Sequence, residues 1–345
     1  MRVALLANLK KNAPTWPGIA ADRWDELDSE KTVEAIAAAL QSRGHTVTFL
    51  EGTPTLASDL AKLRPEICFN LCEGHFGDAR EAQIPALLEM LRIPYTGSQV
   101  LALALALDKP MTKRVLAYHQ LPTPAFQVFE DRYEPLHPSL HYPLFVKPSR
   151  EGTGMGVSAA SIVADEKALR HQIQQTLDRY QQPALVEQYI EGREVTVGLV
   201  GNLSHPRAAA APWAGLHLFP ALEIDLDSHP AEEAGLYTNR MKVELAHAFR
   251  YLCPAPLPDR LVELLHRYTA AAFQAIGCRD VCRVDFRLDR HDNDQPYLLE
   301  INPLPGLAPN YSDLCLEAAA EGWHYETLIN RILDEAIARY GLETA

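Results

Sequence analysis

An arginine, two carboxylates and an amide recur at period-two spacing late in the chain. Arg283 and Asp285 stand in V-C-R-V-D-F-R-L, and Glu300 and Asn302 in Y-L-L-E-I-N-P. Two acids beside an amide oxygen suit a hard cation such as Mg2+, which takes a few oxygen ligands from protein and the rest from water and phosphate. An arginine beside them would meet negative charge developing on a phosphoryl or acyl group. The spacing predicts two strands joined by the polar turn Asp-Arg-His-Asp-Asn-Asp. Cys282, Val284, Phe286 and Leu288 would then share one face with Tyr297, Leu299 and Ile301, leaving Arg283, Asp285, Glu300 and Asn302 on the other. An ordinary solvated hairpin has the same alternation. Asn302-Pro303 and Pro305-Gly306 end the second strand abruptly and bring backbone N–H groups near the charged face.

A second stretch could hold phosphate. Leu144 to Lys147 reads as a strand, followed by Ser149-Arg150-Glu151-Gly152-Thr153-Gly154-Met155-Gly156. Three glycines within five residues permit unusual backbone angles and close approach to a ligand. Successive N–H groups in such a loop can cradle phosphate oxygens. A plain hairpin loop shares this composition, and the G-K-[ST] of a Walker loop is missing. His75 lies in the Asn70–Asp78 segment, where the carboxyl ends of parallel strands gather ligands, and a surface-loop histidine is the other reading.

These residues need elements to position them. Residues 2–8, 46–50 and 67–71 read as strands. They alternate with a helix that Asp28 or Ser29 can cap, whose apolar positions Val33, Ile36, Ala37 and Leu40 follow the helical period and which Gly44 is placed to end, and with a short helix at 56–63. That order implies a doubly wound parallel sheet. No G-x-G-x-x-G follows the first strand, so a dinucleotide site is unsupported. Further helices are predicted over 80–92, 109–118, 165–180, 259–276 and 316–340, with strand, turn and strand over 185–197. Residues 203–255, rich in proline and acids, read as long loops.

The 345 residues suffice for two or three domains, and 47% hydrophobic with 22% charged residues is a globular composition. A net charge of −13 offers no basic excess for nucleic acid. No run approaches the roughly 20 apolar residues of a membrane span, and no signal peptide is apparent. The six cysteines lack zinc spacing and read as buried free thiols of a reducing cytoplasm.

Taken in order, P-Y-T-G-S, D-K, F-V-K-P-S-R-E-G, V-E-Q-Y-I, R-V-D, L-L-E-I-N-P and P-G resemble the ATP-grasp superfamily, and within it the D-alanine–D-alanine ligase family. The resemblance implies an α/β fold, α+β in its C-terminal half. An N-terminal Rossmann-like parallel sheet (1–105) would precede two α+β ATP-grasp subdomains, 106–190 with the glycine-rich lid loop and 191–345 with the metal site. It implies ATP and Mg2+, with Mn2+ as a substitute, and amino-acid or carboxylate substrates joined through an acyl phosphate. Asp285, Glu300 and Asn302 would hold the metal, and Lys109, Lys147 and Lys242 the phosphates. Glu187, Gln188, Tyr189, Ile190 and Leu299 would lie against adenine, with Glu194 on the ribose. Arg283 would stabilise the charged intermediate, aided by the Gly306 N–H, with Thr153 and His75 as further catalytic-side candidates. A cytoplasmic homodimer, with no nucleic acid or membrane partner, is also implied.

The amino-acid half departs from the family pattern. Thr153 stands at a serine position and Val243 at a tyrosine position, and Leu307–Ser312 replaces M-T-x-x-S. The N-terminal substrate acid is Asp25, Glu26 or Glu30. Authentic D-alanine–D-alanine synthesis, a ligase for another acid and amine, and a nucleotide-binding regulator all stay open.

Overall fold

The computed structural model describes residues 1–204, 213–225, 236 and 250–343. Strands β1 (Arg2–Ala7), β2 (Thr46–Glu51) and β3 (Ile67–Asn70) form a parallel sheet in the order β2-β1-β3. Strand β1 is buried after its first residue, as a strand covered on both faces must be. Helix α1 (Glu30–Gln41) begins where Ser29 Oγ accepts the Thr32 N–H at 3.2 Å. Ser29 is therefore the cap, and Asp28 is not.

Helices α2 (Leu56–Leu63) and α3 (Gln83–Leu91) complete this region. Helices α4 (Val100–Leu107) and α5 (Lys109–Tyr118) come next, and Asp108 caps α5 by accepting from the Met111 N–H. Ala102, Ala106 and Leu116 of these two helices pack in the core of the third sheet.

The second sheet is antiparallel, in the order β4-β7-β5-β6. It is built from β4 (Phe126–Phe129), β5 (Leu144–Pro148), β6 (Ile162–Val163) and β7 (Ala184–Gln188), with helix α6 (Glu166–Tyr180) between the last two. The third sheet contains β8 (Gly192–Gly201), β9 (Leu216–Leu218), β10 (Leu222–Ile224), β11 (Tyr251–Leu252), β12 (Val281–Asp289) and β13 (Gln295–Asn302). Its order is β11-β10-β8-β12-β13, with β9 paired to β8. Helix α7 (Asp259–Ile276) covers it with Leu261, Leu265 and Phe273, and ends at Gly277 in the left-handed region.

The predicted single helix over 316–340 is two, α8 (Asp313–Ala320) and α9 (Tyr325–Tyr340), divided around Gly322 at φ +89°. Both return to the first sheet, where Leu328, Ile332 and Leu333 share a core with Val33 and Ile36. A parallel α/β region followed by two antiparallel sheets with helices is the architecture expected. All six cysteines are free, and all but Cys253 are buried.

Candidate active site

Strands β12 and β13 bring the four chemical residues onto one face. Arg283 lies opposite Asn302, and Asp285 opposite Glu300. Arg283 Nε and Nη2 donate to the two Asp285 oxygens at 2.8 and 2.9 Å, and Asn302 Nδ2 donates to Asp285 Oδ2 at 3.0 Å. Thr196 Oγ1 on β8 donates to Asp285 Oδ1 at 2.7 Å.

The apolar face differs from its predicted form. The register shifts between Asp285 and Phe286, so Phe286 pairs with Leu298. Pro296, Leu298 and Ile301 are the buried residues of β13, whereas Leu299 turns to the open face. A bulge is the reason, because one extra residue on a strand reverses its alternation beyond that point.

Two carboxylates directly across a strand pair repel each other. Arg283 balances Asp285, and Lys109 Nζ lies 3.3 Å from Glu300 Oε2. Among the described residues no group of three or more His, Cys, Asp or Glu could hold a metal. Asp285, Glu300 and the Asn302 amide oxygen are instead a partial, all-oxygen donor set. It fits a hard cation that completes its shell with water and phosphate.

Beside this face lies a cleft of about 850 Å³, open mouth included. Lys147, Glu187, Gln188, Tyr189, Ile190, Glu194 and Leu299 line it, with Met155 and Gly154 of the glycine-rich loop. The Phe145 and Tyr189 rings lie 6.4 Å apart and 22° from parallel, a flat apolar wall of the kind a planar base requires. Glu187 does not present a free carboxylate here. Lys147 Nζ is 2.8 Å from its Oε2, and Lys113 Nζ makes an ion contact, off the hydrogen-bonding direction, 2.5 Å from its Oε1. Burial alone would raise the Glu187 pKa, but the two lysines hold it below the usual carboxylate range. Burial lowers the Lys113 pKa to about 8 despite Glu187.

Lys113 is a residue the sequence reading missed. Its signal was the i, i+4 spacing from Lys109, which puts both lysines on one side of α5. Arg287 was also missed. It is buried, lines the cleft and lies 3.4 Å from Glu194.

A larger cavity, about 1520 Å³ with its mouth, adjoins the cleft, and Lys109 and Glu300 line both. Arg283, Thr153 and Gly306 line this second space together. Arg283 is enclosed between Asp285 and Asp313. Burial would lower its pKa, but these acids raise it, so it stays charged.

Of the N-terminal acids, Asp25 and Glu26 reach the cavity, whereas Glu30 pairs with Lys11 on the exterior. Glu26 is held by Arg80, whose Nη2 lies 2.8 Å from Oε1. Arg80 also donates to Glu151 Oε2 at 3.1 Å and to the Arg150 carbonyl at 2.9 Å, and Arg23 pairs with Glu151. The glycine-rich loop is thereby tied to the N-terminal region.

His75 lies outside both linings, with its ring edge-on to Trp24 at 5.4 Å and a buried Nε2 that finds no hydrogen-bond partner among the described residues. Lys242 and Val243 lie outside the described residues.

The cavity acids give a pH prediction. Burial pushes Asp28 up to about 7, and burial with repulsion from Glu26 pushes Glu81 up to about 7. Between roughly pH 4 and 7 the folded chain then holds protons that the unfolded chain has released, so stability falls as pH rises. Glu187, with its lowered pKa, opposes this only below about pH 4.5. The ligand-free protein should melt roughly 2–5 °C lower at pH 8 than at pH 5.5. Asp28→Asn should flatten that slope, and an unchanged slope would contradict the account.

The three-sheet fold, with paired cleft and cavity meeting at Lys109 and Glu300, is that of an ATP-grasp enzyme. A family model described as "D-ala D-ala ligase C-terminus" matches residues 115–334. The D-alanine–D-alanine ligase of Syntrophotalea carbinolica is 36% identical over 330 residues, covering 96% of this chain and 97% of that one. The uncharacterized Sinorhizobium fredii protein y4sG is 36% identical over 318 residues, 90% and 88% of the two chains. The crystal structure of the Bacillus anthracis D-alanine–D-alanine ligase complexed with ATP superposes with a TM-score of 0.74 at 22% identity, covering 99% of each chain. The chain belongs to the D-alanine–D-alanine ligase family, a group of ATP-dependent ligases that form carbon–nitrogen bonds.

Proposed function

We propose that the chain joins a carboxylate to an amine at the expense of ATP, through an acyl phosphate. The observation that supports this most is the shared boundary. The apolar-walled cleft and the polar cavity meet at Lys109 and Glu300, so a nucleotide in one can face a carboxylate in the other. The carboxylate oxygen attacks the γ-phosphorus and ADP leaves. The amine then attacks the acyl carbon, phosphate leaves, and the nitrogen loses a proton.

Lys147 and Lys109 are placed to steady the transferring phosphoryl group, and Phe145, Tyr189, Ile190 and Leu299 to enclose the base. Arg283, which the acids around it keep charged despite burial, would meet the oxyanion that forms when the amine adds. Gly306, on the same cavity wall, offers its backbone N–H. Asp285, Glu300 and Asn302 would hold a Mg2+ ion, which supplies charge neutralisation for the phosphates. A cytoplasmic homodimer acting on small molecules completes the reading. Family membership supports it, and no helix among the described residues is long and apolar enough to cross a membrane.

The test is ADP release with Mg-ATP across pairs of amino acids, D-alanine alone included. Release that depends on an added acid and amine, with the amide product seen by mass spectrometry, is expected. ATP binding without release for any pair would favour a regulatory role instead.

A further inference from the structure

We propose that Arg287 is a positioning residue that makes the nucleotide cleft selective for a ribonucleotide, by holding Glu194 where a ribose diol can donate to it. The proposal rests on ATP occupying the cleft and adds the residue that sets the sugar class.

Strands β8 and β12 pair without a break, so Arg283, Asp285 and Arg287 share one face with their partners Gly198, Thr196 and Glu194. These three rungs, about 7 Å apart along the strand, lead from the cavity into the cleft. A nucleotide with its outer phosphates at Asp285 and its base against the Phe145 and Tyr189 rings carries its sugar between them. Glu194 and Arg287 line the cleft there.

Arg287 is 4% exposed, a burial that an arginine seldom has without partners. Its Nη1 donates to the Gly192 carbonyl at 3.2 Å and lies 3.4 Å from Glu194 Oε2. The strands meet this closely only with glycine at 192, where a Cβ would stand 1.7 Å from the Leu288 carbonyl oxygen. The guanidinium is thus fixed at two points, and it fixes Glu194 in turn. Glu194 keeps 17% of its side chain exposed, so its carboxylate is held yet open to the cleft. Lys147 competes for that carboxylate. Burial lowers the Lys147 pKa, and Glu187, Glu300 and Glu194 raise it. Without Arg287, Glu194 would be drawn toward Lys147 and the phosphates, away from the sugar. An apolar residue at 287 would wall the base equally well, so the charge there has a polar task. A carboxylate held in this way accepts from both hydroxyls of a cis-diol, and a site built to bind a hydroxyl rejects the analogue that lacks it.

Calorimetry on the full chain with Mg2+ tests this, using the β,γ-imido analogues of ATP and of 2′-deoxy-ATP. The parent should favour the ribonucleotide by roughly tenfold or more, the worth of a hydrogen bond to a charged group. Arg287→Met should remove most of that preference, by weakening the ribonucleotide and leaving the deoxynucleotide nearly unmoved. Arg287→Lys should restore part of it, since lysine keeps the charge but lacks the planar fork. Glu194→Gln should remove the preference as far as Arg287→Met does, and the double variant should go no further. Glu194→Gln leaves Arg287 in place, so it gives the same readout should Arg287→Met not fold. A parent without preference, a preference that these substitutions leave intact, or equal weakening of both nucleotides would overturn the proposal. Binding of neither nucleotide by the parent would overturn the ATP reading, and this proposal with it.

Discussion

Asp285→Asn should lower ADP release by on the order of 10³-fold, in the range lost when a group stabilising transition-state charge is removed. The substitution keeps the side chain's shape but removes a charge from the cleft wall, opposite Glu300. Asp285 accepts from Arg283, Asn302 and Thr196, so it also orients the arginine proposed to meet the acyl group. Glu300→Gln should act similarly, since Glu300 lies directly across the ladder and pairs with Lys109. The measurement is steady-state ADP release with the best acid–amine pair, beside ATP affinity. Affinity should fall far less than turnover, because the base is held by the apolar walls. Turnover within tenfold of the parent for both variants would remove these acids from the chemistry. A melting curve guards against a trivial loss, since Asp313, 3.6 Å from Arg283, still gives the arginine a counter-charge.

Lys113→Met should destabilise the fold by about 3–5 kcal/mol, the usual cost of removing one partner from a buried ion pair. Lys113 and Glu187 are almost wholly inaccessible, and the Lys113 ammonium also donates to Thr123 Oγ1 at 2.7 Å. Thr123 in turn donates to the Leu298 carbonyl, so the lysine anchors the connector between α5 and β4 to the β12–β13 hairpin. A loss of that size should lower the melting temperature by roughly 4–7 °C. Nucleotide binding should weaken too. With Lys113 gone, Lys147 becomes the sole cationic partner of Glu187 and is less available to phosphate. An unchanged melting temperature would show that the triad contributes little.

Much of this site was legible because it is local. Arg283 and Asp285 lie two residues apart on one strand, and so do Glu300 and Asn302 on the next, so period two alone puts each pair on one face. The helix stripe at 259–276 and the parallel order of the first sheet were readable for the same reason. The Glu187 triad was not, since its members come from α5, β5 and β7 and only folding brings them together. Arg80 was hidden similarly, joining residues far apart in sequence. Asp28 and Ser29 competed as helix caps, and only the observed hydrogen bond identifies which of them caps. The bulge was illegible because Leu298-Leu299 offers two similar side chains and no mark of which one turns outward.

That bulge lets two successive side chains, Leu299 and Glu300, share the open face, which strict alternation would forbid. Between Leu298 and Glu300 the chain spends one residue without advancing along its neighbour, and so keeps Glu300 opposite Asp285 while Leu298 seals the core. A one-residue deletion at Leu299 would turn the bulge into a regular ladder, with Glu300 still opposite Asp285 and Asn302 still opposite Arg283, and would take only one apolar side chain from the cleft wall.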